Sequence, residues 1–401
     1  MATSPVHAPA PHRFDDLTAE AVRHPVSLKW NTYPAGALAL WIADMDLPIS
    51  EELRCALTER LGVPLGYSDV TSAAVPLKAL LIRRLQEQGV PDLTGDHIRL
   101  MPAVVPGLYA SVAAFTAPGE SVVALTPTYP PFHMAVQTQG RVWRSAPLRD
   151  DGQSWQIDWD ALEAAITPDT RLLLLCHPHN PSGRVWTPQE LTRLAEVAER
   201  HDLTVCSDEL HADLRYPGAP AFQSFASLPA AAERTVVLTG PGKSYNIAGI
   251  GCGAMISRNP QLLARVQDTV GGLLGQPHPF NVSAWELALT HAQPWLDEVL
   301  DYLDGNRQLI REWADGEPLV RCHTPEATYL AWLDLRAHPE AQRMQQYLVQ
   351  QGVALNDGTT FTAPQEAGQY QGFVRLNFAT SRPVLREALE RISRALAQPS
   401  T

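Results

Sequence analysis

One stretch of the chain, from Thr239 to Gly249, holds a single lysine among small and turn-forming residues. The β-branched run Thr235–Thr239 is typical of a buried strand, which glycine and proline then end. No carboxylate in the stretch can pair with the Lys243 amine. A lysine usually reaches solvent, but a lysine held in a site can act as an amine nucleophile, because burial lowers its pKa. The stretch alone favours a solvent lysine, so the rest of the chain must decide.

Two further segments offer hydrogen-bond donors to a ligand. Residues 104–108 open an apolar helix, and free N–H groups at a helix start suit a phosphate, although a plain strand-to-helix turn explains the same residues. Asn180 follows an apolar run and lies between prolines, where its amide can donate to a ligand oxygen or belong to a surface turn. His177 and His179 lack a third residue at metal-ligand spacing, so no metal site is predicted.

Two charged residues lie in or directly after apolar strands. Asp208 follows Thr204–Ser207, and a carboxylate there is costly to bury unless it meets a cation or a donor. It either caps the next helix or faces a protonated ring nitrogen. Arg375 lies inside the apolar run Phe373–Phe378, so its guanidinium is expected to meet a carboxylate, either in a salt bridge or on a ligand.

Strand and helix patterns alternate from Ile98 onward, which predicts an α/β fold with a mainly parallel sheet covered on both faces. Thr187-Pro188-Gln189-Glu190 is a capping box with proline at the first helical position, and it predicts a helix start. Ligands of such sheets bind beyond the carboxyl ends of the strands. The candidate strands are Ile98–Met101, Ser121–Leu125, Arg171–Cys176, Thr204–Ser207, Thr235–Thr239 and Cys252–Ile256. The candidate helices include Ser50–Leu61, Ala73–Gln88, Gly107–Phe115, Leu191–Arg200 and Ser224–Ala232.

Composition limits the partners of these 401 residues. The net charge of −12, without a block of basic residues, argues against nucleic acid and anionic membranes. No apolar run is long enough to cross a bilayer. The five cysteines form no CxxC pair, which indicates reduced thiols in a cytoplasmic protein.

Each of these segments alone is common to many proteins. Their order along the chain, in contrast, is typical of one family. From Lys29 to Ile392 the chain resembles fold-type I pyridoxal-phosphate enzymes of the aminotransferase superfamily, and most closely the MalY/PatB type of cystathionine β-lyase. The segments that carry the resemblance are Trp41–Asp46, Val105–Leu108, Thr126–Phe132, His179–Trp186, Ser207–Leu214, Lys243–Gly249 and Val374–Asn377. With these distant partners, the interpretation of Lys243 as an amine nucleophile is favoured.

The resemblance implies a pyridoxal 5′-phosphate cofactor and assigns residues to it. Lys243 would form the internal aldimine, and Asp208 would pair with the protonated pyridine nitrogen, which keeps the ring an electron sink. Asn180 would donate to the phenolic oxygen of the cofactor. Tyr129 would stack on the ring, and His211 would also contact the cofactor.

The resemblance also assigns the residues that would bind the phosphate and the substrate. The backbone of Val105, Pro106, Gly107 and Leu108 would hold the phosphate, and Tyr67 would reach the phosphate of a neighbouring subunit, which implies a homodimer with shared active sites. Arg375 would bind the α-carboxylate of an amino-acid substrate. The other expected substrate contacts are Trp41, Asp44 and Tyr329.

The implied reaction is α,β-elimination from an S-substituted L-cysteine, which gives a thiol, pyruvate and ammonia. Lys243, displaced by the substrate amine, would remove the Cα proton. Either Tyr129 or Tyr67 would protonate the leaving sulfur. The alternatives are an aminotransferase, a decarboxylation-coupled oxidative deamination and, in another class, a regulatory binding module.

Composition and the pattern of strands and helices, together with the resemblance, predict a domain division. Residues 1–13 form a disordered lead-in, residues 14–60 contribute to the small domain and the active site, residues 61–290 form the large cofactor-binding domain, and residues 291–401 form the small C-terminal domain.

The chain departs from the family pattern at several positions. Gly242 replaces a usual serine, and His177 replaces a common asparagine. Gly251 stands where aspartate aminotransferase-like members carry a phosphate-binding arginine, which favours the lyase branch. The loops Asn356–Gly372 and Gly272–Pro279 are also unusual and are expected to border the substrate mouth. These differences suggest a substrate larger than cystathionine.

Overall fold

The computed structural model describes residues 12–63 and 69–398. Its strands, in chain order, are β1 (Leu38–Ala39), β2 (Ile98–Met101), β3 (Ser121–Thr126), β4 (Val142–Pro147), β5 (Arg149–Asp150), β6 (Trp155–Gln156), β7 (Thr170–Cys176), β8 (Thr204–Asp208), β9 (Thr235–Thr239), β10 (Gly253–Ile256), β11 (Arg321–Cys322), β12 (Leu330–Asp334), β13 (Val353–Ala354), β14 (Asn356–Asp357) and β15 (Phe373–Asn377).

The helices follow the same chain order. The α-helices of the described residues are α1 (Leu28–Asn31), α2 (Glu51–Leu61), α3 (Val70–Glu87), α4 (Val104–Phe115), α5 (Pro131–Gln137), α6 (Trp159–Ala165), α7 (Pro188–Arg200), α8 (Pro260–Leu274), α9 (Pro279–His291), α10 (Gln293–Gly316), α11 (Met344–Gln350) and α12 (Arg382–Leu396). Short 3-10 helices occupy Arg13–Asp16, Gly95–His97, Phe225–Ser227, Pro229–Ala231, Pro339–Arg343, Gly358–Phe361 and Pro364–Tyr370.

The largest sheet has seven strands in the order β2-β10-β9-β8-β7-β3-β4. Strand β10 pairs antiparallel with β2 and β9, and the other neighbours pair in parallel. Strand β3 is buried along its whole length. Val123 and Leu125 face one apolar core, whereas Val122 and Ala124 face another, because successive strand side chains point to opposite faces. The predicted α/β class with a mostly parallel sheet covered on both faces is confirmed.

A second, antiparallel sheet has the order β11-β12-β15-β14. The N-terminal segment joins this part of the molecule, since β1 pairs in parallel with β13. One apolar core contains Phe14, Trp30 and Leu53 together with side chains of α10 and α12. Both ends of the chain therefore pack in the same core, and the stretch between β1 and α2 contacts the loop after β9.

Local sequence signals explain several element boundaries. Ser50 caps α2 by accepting from the Leu53 N–H, and Thr187 forms the predicted capping box at the start of α7. The predicted helix Ser224–Ala232 is wrong: two 3-10 turns occupy this stretch. Pro229 restricts the preceding residue, and Leu228 is extended at φ −75° and ψ 131°. The sequence prediction also lacked β4, which forms one edge of the large sheet.

Two further properties of the described residues concern membrane-spanning helices and cysteines. No helix among them is both long and apolar enough to cross a membrane. The five cysteines are free thiols, and Cys176, Cys206 and Cys252 are buried, as the sequence predicts.

Candidate active site

A cavity of about 700 Å³ lies where the loops after β7, β8 and β9 meet β15 and the segment after β1. Loops at the carboxyl ends of parallel strands converge at one edge of the sheet, so distant residues meet there. The predicted site residues that line this cavity are Trp41, Asp44, Val105, Tyr129, Asn180, Asp208, His211, Lys243 and Arg375.

Lys243 lies on the cavity wall shortly after β9. Its Nζ donates to the backbone carbonyl of Ala43, across the cavity from its own strand. Burial disfavours the ammonium form and lowers the pKa of Lys243 to about 8, although the carboxylates of Asp44 and Asp208 act in the opposite direction. About a tenth of the amine is therefore neutral at pH 7, far more than for an ordinary lysine, and the neutral form is the one that a nucleophile or general base requires.

Asp208 ends β8 and faces the same cavity. Its Oδ1 accepts from the Leu210 N–H at 3.2 Å. Burial raises the pKa of Asp208 to about 6, which means that the free carboxylate lacks a full counter-charge. His211, three residues on, is buried, and its Nδ1 has no hydrogen-bond partner among the described residues. Burial lowers the pKa of His211 to about 3, so the imidazole is neutral.

Arg375 and Asn180 contact each other inside the cavity. Arg375 Nη1 donates to Asn180 Oδ1 at 2.9 Å, and Nη2 donates to the Trp41 carbonyl at 3.0 Å. The arginine is 2% exposed, and its Nε has no partner among the described residues. Burial lowers the pKa of Arg375 to about 10, so the guanidinium remains charged at neutral pH. No carboxylate pairs with it among the described side chains, which leaves the charge available to an anionic ligand.

The start of α4 provides backbone donors at another part of the wall. The helix begins at Val104, two residues before Pro106, and Ala103 occupies the N-cap without a side-chain cap. Ala103, Val104 and Val105 line the cavity, whereas Pro106, Gly107 and Leu108 do not. The N–H groups that an α-helix leaves unpaired are those of its first turn, so the available donors precede Gly107.

Gly107 has a packing role in α4. A Cβ at this position would lie 2.6 Å from Met101 Cε and 3.0 Å from Leu238 Cδ2. The glycine therefore allows α4 to approach the large sheet closely.

The segment Trp41–Leu47 presents a row of carbonyl oxygens to side chains from the rest of the chain. Asn377 Nδ2 donates to Ile42 O at 2.7 Å and to Asp44 O at 2.6 Å. Asn246 Nδ2 donates to Leu47 O at 2.7 Å. Tyr329, which does not line the cavity, donates its hydroxyl to Ala43 O at 3.2 Å. This segment links both sheets to the site.

The two loops expected at the substrate mouth differ in their relation to the cavity. Asn356 lines the cavity, but the loop it begins contains β14 and two 3-10 helices. Gly272–Pro279 does not line the cavity of the single chain. Tyr67 lies outside the described residues. Among residues 12–63 and 69–398, no group of three His, Cys, Asp or Glu residues could hold a metal ion.

Comparison with known proteins identifies the family. Residues 76–392 match the model of the family described as aminotransferase class I and II. This chain belongs to that family. The chain is 35% identical over 369 residues to cystathionine β-lyase PatB of Bacillus subtilis (strain 168), a match that covers 90% of this chain and 93% of PatB. The resemblance to the PatB type is thereby confirmed.

Two solved structures extend the aminotransferase-family comparison to the fold. OvoB is 36% identical with a TM-score of 0.87, and the match covers 94% of this chain and 98% of OvoB. Cystalysin from Treponema denticola is 30% identical with a TM-score of 0.87, covering 96% and 98% of the two chains, and its structure contains a pyridoxal 5′-phosphate cofactor.

Gly242 and Gly251 border the site. The family pattern has a larger residue at each of these two positions. A Cβ at Gly251 would lie 2.7 Å from the Pro102 carbonyl oxygen, which no side chain tolerates without a backbone shift. A Cβ at Gly242 would lie 3.2 Å from Ala248 Cα, a tight but less severe contact. Both glycines line the cavity, so the wall at these two positions is backbone.

Sequence reasoning missed residues that hold the Trp41–Leu47 segment. The sequence pattern singles out neither Lys29 and Asp46 nor Asn246 and Asn377 as individual site residues. A lysine and an aspartate within apolar surroundings are a detectable signal, because buried charges need partners. Which carbonyl each donor reaches depends on the tertiary structure.

Proposed function

We propose that this chain is a pyridoxal 5′-phosphate-dependent C–S β-lyase. It would cleave an S-substituted L-cysteine, either cystathionine or a larger conjugate, to a thiol, pyruvate and ammonia. The observation that carries the proposal is the convergence of Lys243, Asp208, Asn180 and Arg375 on one cavity. The cystathionine β-lyase relative at 35% identity supports the same reaction type.

The residues present fit this cofactor. The cavity offers one amine, a carboxylate without a full counter-charge, and the N–H groups of the first turn of α4. The amine suits the aldehyde of the cofactor, and the carboxylate suits its protonated ring nitrogen. The N–H groups suit its phosphate. The unpaired His211 Nδ1 is a further polar atom at the same wall.

The cofactor, when bound, supplies an electron-withdrawing ring that stabilises negative charge at the substrate Cα. Lys243 would hold the cofactor covalently and, once displaced, take the Cα proton at Nζ, for which its lowered pKa is suited. Asp208 would keep the ring nitrogen protonated. Asn180 would donate from Nδ2, because Arg375 already occupies its Oδ1.

Arg375 would bind the α-carboxylate of the substrate. Its charge has no carboxylate partner among the described residues and is held by two acceptors, Asn180 Oδ1 and Trp41 O. A guanidinium fixed in this way binds a carboxylate with little further loss of side-chain freedom. Tyr129, on the cavity wall, would stack on the cofactor ring, and either Tyr129 or Tyr67 would protonate the leaving sulfur.

The proposal includes a homodimer in which Tyr67 reaches the partner's phosphate group. It also includes the predicted division into a large domain of residues 61–290 and a small domain formed by residues 14–60 and 291–401. A cytoplasmic location is expected from the buried free thiols Cys176, Cys206 and Cys252. Sedimentation of the purified protein would test the dimer. Mixing Tyr67→Phe and Lys243→Ala subunits should restore part of the activity if sites are shared.

Spectroscopy and product analysis test the function. The purified protein incubated with pyridoxal phosphate should gain a visible absorption band, and Lys243→Ala should lack both this band and turnover. Pyruvate and free thiol formed from S-substituted cysteines indicate a lyase. Conversion of the cofactor to its amine form, without pyruvate, would instead support the aminotransferase alternative. A protein that never binds the cofactor would contradict the proposal as a whole.

A further inference from the structure

Lysine is rare in this chain, and two of its lysines meet at the active site. Among the 31 lysines and arginines, only Lys29, Lys78 and Lys243 are lysines. Lys243 Nζ donates to the carbonyl of Ala43, and Lys29 Nζ donates to the carbonyl of Asp44 at 2.9 Å. Two ammonium groups from distant parts of the chain therefore hold consecutive carbonyls of one segment.

Lys29 is part of a buried charged cluster behind the cavity wall. Its Nζ lies 2.9 Å from Asp46 Oδ2, and the two side chains are 1% and 4% exposed. Asp46 Oδ1 accepts from the Trp30 indole at 2.8 Å, and the Trp41 indole donates to Lys29 O at 2.9 Å. The cluster thus contacts this segment at Trp41, Asp44 and Asp46, which flank Ala43 along the chain.

We propose that Lys29 and Asp46 are a positioning pair for Lys243. They fix the segment so that Ala43 O accepts from the Lys243 amine whenever this amine is not bonded to the cofactor. The inference rests on the proposed function, in which Lys243 is released during each turnover. A fixed acceptor keeps the released amine beside the substrate and favours its ammonium form after it has taken a proton.

A purely structural role explains the pair less well. A buried ion pair often adds little net stability, because the cost of removing two charges from water offsets their attraction. Neither Lys29 nor Asp46 is among the charges that shift the pKa of Lys243; these are Asp44, Asp208 and Arg375. The effect of the pair on Lys243 is therefore expected to act through the position of Ala43 O.

The test replaces both charges at once. Lys29→Met/Asp46→Asn leaves no unpaired buried charge, and the amide introduced by Asp46→Asn keeps an oxygen for the Trp30 indole. Lys78→Met is a matched control, because Lys78 Nζ also donates to a backbone carbonyl, that of Gly95 at 2.8 Å, and does not line the cavity. A thermal melt of each variant establishes that it is folded.

The first readout uses the full chain without cofactor. Reductive ¹³C-methylation labels lysine amines, and a chain with three lysines gives few NMR signals to assign. The pKa of Lys243 should be lower in the double variant by about 0.5 to 1 unit, the shift expected when one hydrogen bond to the ammonium is weakened. The other groups facing Lys243 are unchanged, namely Asp44, Asp208, Arg375 and His211. Lys78→Met should leave the pKa of Lys243 unchanged.

The second readout uses the enzyme with cofactor. In the double variant, kcat for pyruvate formation should fall about tenfold while KM changes less than about threefold, because the substrate-binding arginine is untouched. A folded double variant with the wild-type Lys243 pKa and wild-type kcat would overturn the positioning role. Failure of the wild type to form pyruvate from any S-substituted cysteine would instead contradict the proposed function, and the NMR titration would still decide the role of the pair.

Discussion

Arg375 and Asn180 join the two sheets inside the active-site cavity. Arg375 belongs to β15 of the small sheet, and Asn180 follows β7 of the large sheet, yet Nη1 and Oδ1 are 2.9 Å apart. The contact orients the Asn180 amide so that its NH₂ group is free to donate to the cofactor. It also places the guanidinium that we propose binds the substrate next to the amide that we propose binds the cofactor, so the two functions are expected to be coupled.

Replacing Arg375 by lysine should weaken substrate binding. Lysine keeps the charge but loses the planar fork, so KM should rise about 10- to 100-fold, as expected for a lost charge-assisted hydrogen bond. Steady-state kinetics of pyruvate formation measure this effect. Arg336→Lys is the control, because Arg336 forms an exposed ion pair with Asp334 on the same sheet and should leave KM unchanged. An unaltered KM in Arg375→Lys would remove this residue from the substrate site.

Asp208 should make the cofactor-free protein less stable at neutral pH. Its folded-state pKa is raised to about 6 from the ordinary 3.8, so the folded protein binds the proton more tightly than the unfolded chain does. Stability is therefore lost as pH rises from about 4 to about 6. Asp208→Asn should be more stable than wild type by about 2 to 3 kcal/mol at pH 7 and nearly equal at pH 4.

Urea unfolding of the cofactor-free protein at both pH values measures this difference. The exposed Asp268→Asn on α8 serves as the control and should show no such pH dependence. The same Asp208→Asn substitution should lose most lyase activity with cofactor bound. Equal stability of wild type and Asp208→Asn at pH 7 would show that the folded protein compensates the buried carboxylate fully.

The two cavity glycines Gly242 and Gly251 should respond differently to substitution. Gly251→Ala forces a Cβ against the Pro102 carbonyl oxygen at 2.7 Å and should cost about 1 to 3 kcal/mol of stability. Gly242→Ser meets Ala248 at 3.2 Å and should cost less than about 1 kcal/mol. Denaturant unfolding compares the pair. A Gly251→Ala protein as stable as wild type would show that the Pro102 backbone can move aside.

Asn377 should affect both stability and catalysis. Its Nδ2 donates to Ile42 O and Asp44 O at 2.7 and 2.6 Å, so Asn377→Ala leaves two partly buried carbonyls without this donor and should cost about 1 to 3 kcal/mol. Asn306 is a matched control, because its Nδ2 bridges the carbonyls of Phe378 and Thr380, both at 2.9 Å, away from the cavity. Both variants should lose stability, but only Asn377→Ala should also lower kcat at temperatures where it is folded.

The sequence by itself determined most strands of the large sheet and the chemical groups of the site. Buried strands such as Thr235–Thr239 have continuous runs of apolar and β-branched side chains, and helix starts such as Thr187 have caps that bond locally. Both can therefore be identified without tertiary information. Helix α4 was predicted to begin three residues late, at Gly107. Its N-cap is Ala103, which makes no side-chain bond and gives no local signal.

The tertiary structure decided which distant groups lie close together. It also decided how far burial shifts their pKa values. Local sequence could not choose between a solvent lysine and a nucleophile at Lys243, because burial in the folded chain lowers the pKa of this amine. Nor could it show that Lys29 supports the Trp41–Leu47 segment, or that Pro102 excludes a side chain at Gly251. Residue types and local periodicity follow from the chain itself, whereas desolvation and close approach depend on segments that are distant along the chain. For that reason the sequence named the reacting groups, and the folded structure set their charge and position.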